Sequence, residues 1–267
     1  MRRTARRSRI VSGKTIRYAI WVSLAVWGLL AAAHAARAES ETGALLVADG
    51  TGYDPTVVAG FRTVAIASVA DAVDKIAGRR GYLDSEIRPR IVEKRIVGPA
   101  VTVLEGPASE AVPPQHALDA IDECPPGSVI VIAIAGEKNV AVWGGLMTAG
   151  AVANELEGAI LDGGVRDIDE IRANYPLPIY ARSVSPGTTV GRFKTLASQV
   201  PVTIGGITIE PGDLIVAGND GIVAVPQAHA RAVLKMAQEI DQREAEQTKA
   251  ILELKSLREG LKKYGRI

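Results

Sequence analysis

Apolar and polar positions alternate with two different periodicities along the chain, and these predict both helices and strands. Residues 56–77 repeat their apolar side chains every three to four positions up to Gly78, so a helix ending at this glycine is expected. The uninterrupted, mostly β-branched run over 128–135 is typical of a buried strand. Between residues 201 and 225, short apolar runs alternate with glycine-containing turns, which predicts consecutive strands.

Shorter patterns predict the elements between these segments. They indicate helices over 116–122 and 144–156, and strands over 95–104 (broken at Gly98-Pro99), 159–161 and 179–182. Helices therefore separate the strands in the middle of the chain, whereas strands follow one another near its end. This order favours one compact α/β domain with a mixed sheet or two stacked sheets.

The last part of the chain predicts a long helix. It extends from Gln227 to about Lys263 and becomes polar and charged after Glu239. A single domain does not need a helix of this length to cover its own core. We therefore expect the helix to pack on a neighbouring subunit, with a solvated tail as the alternative.

A separate segment precedes the domain. Residues 1–17 are basic without any acid, residues 18–36 are uncharged and apolar, and Ala36-Arg37-Ala38 has the small-x-small form of a cleavage site. We predict an export signal over 1–38 and the domain over 39–267. One alternative is an uncleaved membrane anchor, because 19 uncharged residues approach the length of a spanning helix. The other is a start site further downstream, which would leave the protein in the cytoplasm.

The net charge of +1 hides an uneven distribution. Residues 1–38 hold 8 of the 31 basic side chains and none of the 30 acids, so the remaining 229 residues carry a net charge of −7. An acidic domain argues against nucleic-acid binding through charge. The single cysteine, Cys124, excludes an intrachain disulfide and a cysteine-clustered zinc site, and three histidines argue against a multi-histidine metal site.

Two glycine-rich segments carry the candidate chemistry. Gly144 and Gly145 open a predicted helix, whose free N–H groups and positive dipole end suit an anion. Residues 162–167 (DGGVRD) follow the next predicted strand as a turn, at the strand end where α/β proteins place ligands. This spacing predicts an anion or metal site near Arg166. The alternatives are ordinary turns and a surface Arg–Asp pair.

Three aromatic or imidazole side chains outside these segments are expected to be structural or solvated. We assign Trp143 to the core. His116 lies on a predicted helix and is more typical of a structural histidine, and His229 is expected to be solvated at the start of the last helix.

An ordered set of segments carries a family resemblance. These are SVADA at 68–72, VGPAVTV at 97–103, AVWGGLM at 141–147, DGGVRD at 162–167, VPV at 200–202, PGD at 211–213 and DGIV at 220–223. Over about residues 55–255 the chain resembles the RraA-like family. This family includes class II 4-hydroxy-4-methyl-2-oxoglutarate/4-carboxy-4-hydroxy-2-oxoadipate aldolases and protein regulators of ribonuclease E. The resemblance implies a three-layer β/β/α swivelling-type domain, assembled as homotrimers or hexamers.

The resemblance also implies a reaction and a metal. A divalent ion, Mg²⁺ or Mn²⁺, would chelate the keto and carboxylate oxygens of a 2-oxo acid. The implied activity is retro-aldol cleavage of 4-hydroxy-2-oxo dicarboxylic or tricarboxylic acids to pyruvate. Breaking the C3–C4 bond leaves an enolate, whose charge needs the metal and a cation. The same enolate chemistry allows oxaloacetate decarboxylation.

The implied site residues follow from the matched segments. Asp167 would be the metal ligand, and Arg166 would bind the substrate's keto and carboxylate end and stabilise the enolate. Substrate-binding amides fall on the helix start formed by Gly145, Leu146 and Met147. A further acid from a neighbouring subunit's last helix falls on Glu244, with Glu246 as the second choice.

The chain departs from the aldolase pattern at Gly145. Characterised aldolases have an acid at this place that helps to hold the metal's waters, and the turn over 135–138 is also altered. Loss of the acid weakens metal binding or the base function but leaves Arg166 and Asp167 in place. It therefore keeps two alternatives open: a non-enzymatic regulator that binds a ribonuclease or another protein, and a metal enzyme acting on a different oxo or hydroxy acid.

Overall fold

The computed structural model describes residues 52–262. The predicted export segment, residues 1–38, lies outside the described residues. No single helix of the described part is long and apolar enough to cross a membrane; only the first two helices taken together, bent by 117°, satisfy length and composition.

The described residues contain helices and strands in mixed order. The helices are α1 (Pro55–Phe61), α2 (Ile66–Ala77), α3 (Gln115–Glu123), α4 (Gly145–Ala153), α5 (Ile168–Asn174), α6 (Ala230–Leu254) and α7 (Leu257–Lys262). The strands are β1 (Arg88–Pro89), β2 (Ile96–Pro107), β3 (Val129–Ala133), β4 (Ala141–Trp143), β5 (Gly158–Val165), β6 (Ile179–Val184), β7 (Phe193–Ser198), β8 (Val202–Ile204), β9 (Ile207–Ile209), β10 (Leu214–Gly218) and β11 (Gly221–Val225).

One mixed sheet organises the molecule. Its order is β1-β6-β5-β3-β2-β10-β11, with β4 added to β5 and β7 added to β2, while β8 and β9 form a separate hairpin. The central neighbours β2, β3, β5 and β6 run parallel, and the connections at both ends are antiparallel. The predicted mixed sheet is therefore confirmed.

Two buried clusters define three layers. Helices α3, α4 and α5 cover one face of the central strands, where apolar side chains from Val101 to Ala181 form one core. The opposite face of the same strands packs against β10, β11 and the β8–β9 hairpin, forming a second core. This β/β/α layering agrees with the fold that the resemblance implies, and it leaves the C-terminal ends of the parallel strands at one edge.

The helix predicted over 56–77 is divided. Asp54 caps α1 by accepting a hydrogen bond from the N–H of Thr56 at 2.9 Å, and Gly78 ends α2 with φ at +65° as predicted. Between them Ala65 is extended, and its N–H donates to Asp241 on α6 at 2.9 Å. Each of the two short helices buries an apolar face of its own.

Three further expectations about elements were wrong. The predicted break at Gly98-Pro99 does not occur, because β2 continues through both residues while it pairs with β10. The predicted turn over 162–167 is mostly strand, since β5 continues to Val165. The last helix is interrupted at Lys255, where φ is +50°, and α7 then folds back so that Gly260 lies against Ile251.

Helix α6 packs on α2 of the same chain through its first half. Its predicted contact with a neighbouring subunit stays a prediction.

Candidate active site

The two predicted glycine-rich segments meet at one end of β5. Strand β4 runs parallel to β5 with Trp143 opposite Val165, and the N–H of Arg166 donates to the carbonyl oxygen of Trp143 at 3.0 Å. The residues that follow each strand, Gly144-Gly145 and Arg166-Asp167, are therefore neighbours. Strand pairing therefore brings both segments to the same edge of the sheet.

The glycine pair allows an arginine and carboxylates to approach the start of α4. A Cβ atom added at Gly144 would lie 2.6 Å from Oδ2 of Asp167 and 3.0 Å from Nε of Arg166. The same Asp167 oxygen accepts a hydrogen bond from the N–H of Gly145 at 2.9 Å and lies 3.4 Å from Nε of Arg166. A side chain at position 144 would make these two side chains shift, so the glycine leaves room for their close approach.

Asp167 has an unusual backbone. It precedes α5 with φ at +59° and ψ at +36°, a left-handed conformation that is uncommon outside glycine but is tolerated by aspartate. This conformation turns the chain sharply between β5 and α5. Such conformations occur preferentially at functional sites.

The first turn of α4 presents unused donors. The first helical bond runs from the N–H of Thr148 to the carbonyl oxygen of Gly144 at 3.0 Å, and Gly144 supplies no side-chain cap. Among residues 52–262, the amides of Leu146 and Met147 have no hydrogen-bond acceptor. Free amides at a helix start favour an anion. The predicted substrate-binding amides at Gly145, Leu146 and Met147 are thus brought together, although Asp167 already occupies that of Gly145.

A small cavity adjoins these donors. Its volume is about 180 Å³, below the roughly 300–1,000 Å³ of pockets for drug-sized ligands, so it suits a small molecule. Arg166 lines it together with the first turn of α4 and residues 188–190. Trp143 forms its buried floor and is 1% exposed, with Nε1 donating to the hydroxyl of Thr148 at 2.8 Å. The prediction that Trp143 is a core residue is therefore confirmed.

Glu170 is a site residue that the sequence reasoning missed. A Cβ atom added at Gly145 would lie 2.8 Å from Oε1 and 3.0 Å from Oε2 of Glu170. The Glu170 carboxylate thus takes the space where a side chain at position 145 would begin. The available signal was the spacing from Asp167 to Glu170, since residues three apart lie on the same side of a helix. An acid is therefore present beside Gly145, supplied by α5.

The residues at this edge fit a hard divalent cation. Asp167 and Glu170 both place carboxylate oxygens at the start of α4, and Mg²⁺ is commonly held by one or two carboxylates plus waters and substrate oxygens. No group of three or more His, Cys, Asp or Glu side chains within residues 52–262 is arranged to hold a metal ion. These two carboxylates would accordingly leave most coordination positions to water and substrate.

Several candidate residues do not line this cavity, Asp167 and Glu170 among them. Glu244 lies half-buried on α6 and, with Glu246, is not among the lining residues of its own chain. Asp162 was predicted in the site turn, but it lies in β5, 3% exposed, and pairs with Arg182 of β6 at 2.5 Å. Asp162 was predicted to lie in a turn because Asp-Gly is a turn signature. In the structure it lies in a strand, where Arg182 compensates its buried charge.

The remaining predictions concern the two histidines of the domain. His116 shares a hydrogen bond with the hydroxyl of Thr195 at 3.0 Å, so it joins α3 to β7 as a structural residue. His229 is exposed, as predicted.

Similarity to known proteins points to one family. The RraA-like family model, described as Aldolase/RraA, matches residues 66–224. A protein named "Putative 4-hydroxy-4-methyl-2-oxoglutarate aldolase" from Halalkalibacterium halodurans is 33% identical over 180 residues, which cover 66% of this chain and 80% of that protein. Protein DlpA of Legionella pneumophila is 34% identical over 170 residues, which cover 63% of this chain but only 27% of DlpA.

Solved structures share the fold. An uncharacterized protein from Pseudomonas syringae pv. tomato is 35% identical with a TM-score of 0.71, covering 79% of this chain and 95% of that one. Streptomyces coelicolor RraAS2, described as an unusual member of the RNase ES inhibitor RraA protein family, is 27% identical with a TM-score of 0.67. The match covers 72% of this chain and 96% of RraAS2.

The fold and the site define a β/β/α domain with an arginine and carboxylates at a helix start. The chain belongs to the RraA-like family. Its three-layer fold, implied by the sequence resemblance, is confirmed. The names of its relatives support a lyase of the aldolase kind.

Proposed function

We propose that this protein is a divalent-metal-dependent lyase that cleaves 4-hydroxy-2-oxo acids to release pyruvate. Reference substrates are 4-hydroxy-4-methyl-2-oxoglutarate and its tricarboxylic relatives, and the same site would decarboxylate oxaloacetate. The convergence of Arg166, Asp167 and Glu170 on the start of α4 carries the proposal. It supplies a cation, oxygen ligands and anion-binding donors within one small site.

The chain's own residues hold the reacting end of the substrate. The substrate carboxylate would accept hydrogen bonds from the amides of Leu146 and Met147, and the Arg166 guanidinium would face the 2-keto oxygen. As the C3–C4 bond breaks, its electron pair moves toward C2 and negative charge develops on the keto oxygen. Fixed donors at that oxygen stabilise the charge without rearrangement.

The metal, when bound, acts as a Lewis acid that stabilises negative charge on the keto and carboxylate oxygens. Asp167 and Glu170 would hold it beside the amides. Glu244 of a neighbouring subunit would receive the proton of the C4 hydroxyl, so that C4 leaves as a carbonyl group. A proton then adds to C3 and completes pyruvate.

Pyruvate release tests the proposal directly. With 4-hydroxy-4-methyl-2-oxoglutarate or oxaloacetate, pyruvate formation should require Mg²⁺ or Mn²⁺ and stop when EDTA is added. Asp167→Asn and Arg166→Met should each lower kcat/KM by about 100-fold or more, because they remove groups that face developing charge. Asp169→Asn serves as a matched control, since Asp169 is also exposed in the first turn of α5. Absence of metal-dependent turnover on both compounds would contradict the function.

Moving the carboxylate from α5, where Glu170 supplies it, to position 145 on α4 tests the role of Glu170. Glu170→Ala should weaken Mg²⁺ activation, measured as the metal concentration for half-maximal rate. Gly145→Asp together with Glu170→Ala should recover part of it, because the new carboxylate starts where the Glu170 carboxylate lies. An unchanged metal requirement in Glu170→Ala would exclude Glu170 from the site.

A protein-binding function is the second candidate. It is favoured by the lack of an acid on α4 itself and by Leu146, which is 89% exposed at the helix start. Such a regulator would bind its partner through this face and show no turnover. Binding to ribonuclease E that is lost in Leu146→Asp, in a preparation without metal-dependent pyruvate release, would support it over the lyase.

A further inference from the structure

Strand β5 contains a bulge just before the candidate site. It pairs with β6 residue for residue up to Leu161, and the pairing resumes at Gly164. In between, two residues of β5, Asp162 and Gly163, stand opposite the single residue Arg182 of β6. Such bulges are rare between parallel strands, and bulges in general are over-represented next to active sites, where they redirect a side chain.

The other edge of β5 is interrupted at the same place. Strand β3 pairs with β5 as far as Leu161, and β4 pairs with it from Gly164 onward. Among the described strands, no ladder pair includes Asp162 or Gly163. The course of β5 between its two paired parts therefore depends on side chains.

Arg182 and Asp162 supply the contacts that hold the bulge. Nε of Arg182 donates to the backbone carbonyl oxygen of Asp162 at 3.2 Å and to its Oδ1 at 3.1 Å, and Nη2 donates to the same Oδ1 at 2.5 Å. The other carboxylate oxygen, Oδ2, accepts a hydrogen bond from the N–H of Gly136 at 2.6 Å. The two side chains are only 8% and 4% exposed, so solvent screens this charge-assisted pair little.

The bulge adjoins both segments that form the candidate site. The turn anchored on Asp162 leads into Val140, whose carbonyl oxygen accepts a hydrogen bond from the N–H of Gly164 at 2.9 Å. Two residues further along β5, the N–H of Arg166 donates to the carbonyl oxygen of Trp143 at 3.0 Å. The bulge thus sets where β5 resumes its pairing with β4, and hence where Arg166 and Asp167 begin.

We propose that Asp162 and Arg182 are positioning residues, which hold the bulge and thereby place Arg166 and Asp167 at the start of α4. The catalytic consequence rests on the proposed lyase function. A misplacement of about 1 Å in a reacting arrangement can cost on the order of 100-fold in rate. Loss of the pair should therefore lower turnover although the charged groups of the site are all still present.

Arg182→Met tests the effect on catalysis in the full-length protein with saturating Mg²⁺. It removes the donors to both the carbonyl oxygen and the carboxylate of Asp162, so kcat/KM for pyruvate release from either reference substrate should fall by about tenfold or more. Asp162→Asn should lose less, because the backbone carbonyl oxygen of residue 162 can still accept from Arg182.

Glu86→Gln is the matched control for these two variants. Glu86 also pairs with the guanidinium group of Arg182, at 2.9 Å, but its side chain is 49% exposed. We expect its kcat/KM to stay within about twofold of the wild type. An equal loss in Glu86→Gln, or no loss in Arg182→Met, would overturn the inference.

Hydrogen exchange at single amides gives a readout that needs no turnover. In Arg182→Met, exchange at Gly164 and Arg166, after the bulge, should accelerate by about tenfold or more. Exchange at Ala159, whose N–H donates to the carbonyl oxygen of Pro178 at 3.2 Å before the bulge, should stay as in the wild type. Equal acceleration at all three amides would mean general destabilisation, and unchanged exchange would mean that the pair does not hold the bulge. Either result overturns the inference.

The two readouts separate this inference from the function on which it rests. If the wild type releases no pyruvate but exchange accelerates only after the bulge, the lyase function fails and the placement by Asp162 and Arg182 stands. If the wild type is active and the variants show no local acceleration, the inference fails alone. Asp162→Asn, which keeps the shape of the side chain, provides the same exchange comparison if Arg182→Met does not fold.

Discussion

Glu105 is a buried carboxyl group that the proposed reaction does not use. It lies in β2, is 3% exposed, and neither carboxyl oxygen has a hydrogen-bond partner among the described residues. Burial raises its pKa from 4.5 to about 7, since the charged form is denied water. The folded protein therefore keeps a proton on Glu105 at pH values where the unfolded chain has released it.

This difference predicts a pH-dependent stability. Between about pH 4.5 and 7 the folded state binds more protons than the unfolded state, so the free energy of unfolding should fall as pH rises. The contribution of Glu105 is full below pH 4.5 and lost above pH 7, and it amounts to about 3 kcal/mol. Urea unfolding of the wild type at pH 5 and pH 8 should show this loss.

Glu105→Gln should flatten that profile and raise stability at pH 8, because the amide cannot ionise. Glu110→Gln is the control, since Glu110 is exposed and pairs with Lys194 at the surface. The same pH dependence in Glu105→Gln and in wild type would mean that the carboxyl is not responsible.

Single residues also show what the sequence could and could not disclose about the site. Arg166 and Asp167 could be selected because they follow an apolar run that ends in glycines. Glu170 was missed although its spacing from Asp167 was an available signal, because its place in the site depends on the space left by Gly145, which only the structure shows. Asp162 was assigned to the turn because its partner, Arg182, lies 20 residues further along the chain. No local pattern could therefore indicate that the Asp162 carboxylate is buried and paired.

At the scale of elements, the course of strand β2 depends on a close approach between its backbone and that of Gly127. Residues 96–99 pair with β10, and residues 100–104 pair with β3, so the strand changes partners at Pro99 and Ala100. A Cβ atom at Gly98 would collide with the carbonyl oxygen of Gly127. Glycine at position 98 is therefore required by the neighbouring chain and does not break the strand.

Gly98→Ala should destabilise the protein by about 2–4 kcal/mol, because backbone on both sides must move. Gly218→Ala in β10 is the comparison: its Cβ would meet only the terminal Cδ1 of Ile66, at 2.5 Å, which can rotate away. We expect a clearly smaller loss there. Chemical unfolding of both variants gives the two values, and similar losses would refute the special role of the Gly98–Gly127 contact.

Elements were predictable where the pattern was complete within the element itself. The buried run of β3 and the amphipathic α3 are of this kind. Strand β7 was missed because Phe193–Ser198 (FKTLAS) is only partly buried and pairs with β2 alone. The division between α1 and α2 depends on Asp241, which is 176 residues from Ala65, so no local pattern could indicate it.

At the scale of the whole molecule, one chain supplies only part of the proposed site. Arg166, Asp167 and Glu170 lie together beside the start of α4, whereas no contact of Glu244 with these residues is seen within its own chain. The family resemblance predicted the fold correctly because it rests on ordered segments throughout the domain. It assigns Glu244 to the site of a neighbouring subunit, which remains a prediction.

Mixed assemblies test that prediction. Asp167→Asn and Glu244→Gln should each be nearly inactive alone, since one lacks the metal ligand and the other the proton acceptor. When both variants are co-expressed, a subunit with intact Asp167 can sit beside one with intact Glu244. Random assembly of a closed ring should then restore activity to about a quarter of the sites.

The control pair removes two groups that one subunit supplies. Asp167→Asn co-expressed with Arg166→Met leaves every site without one of them, so pyruvate formation should stay at the level of the single variants. Tagged copies and tandem purification would isolate the mixed assemblies in both cases. If the Asp167 and Glu244 pair restores nothing in purified mixed assemblies, each site is built within one chain. The assignment of Glu244 to a neighbouring subunit's site would then be wrong.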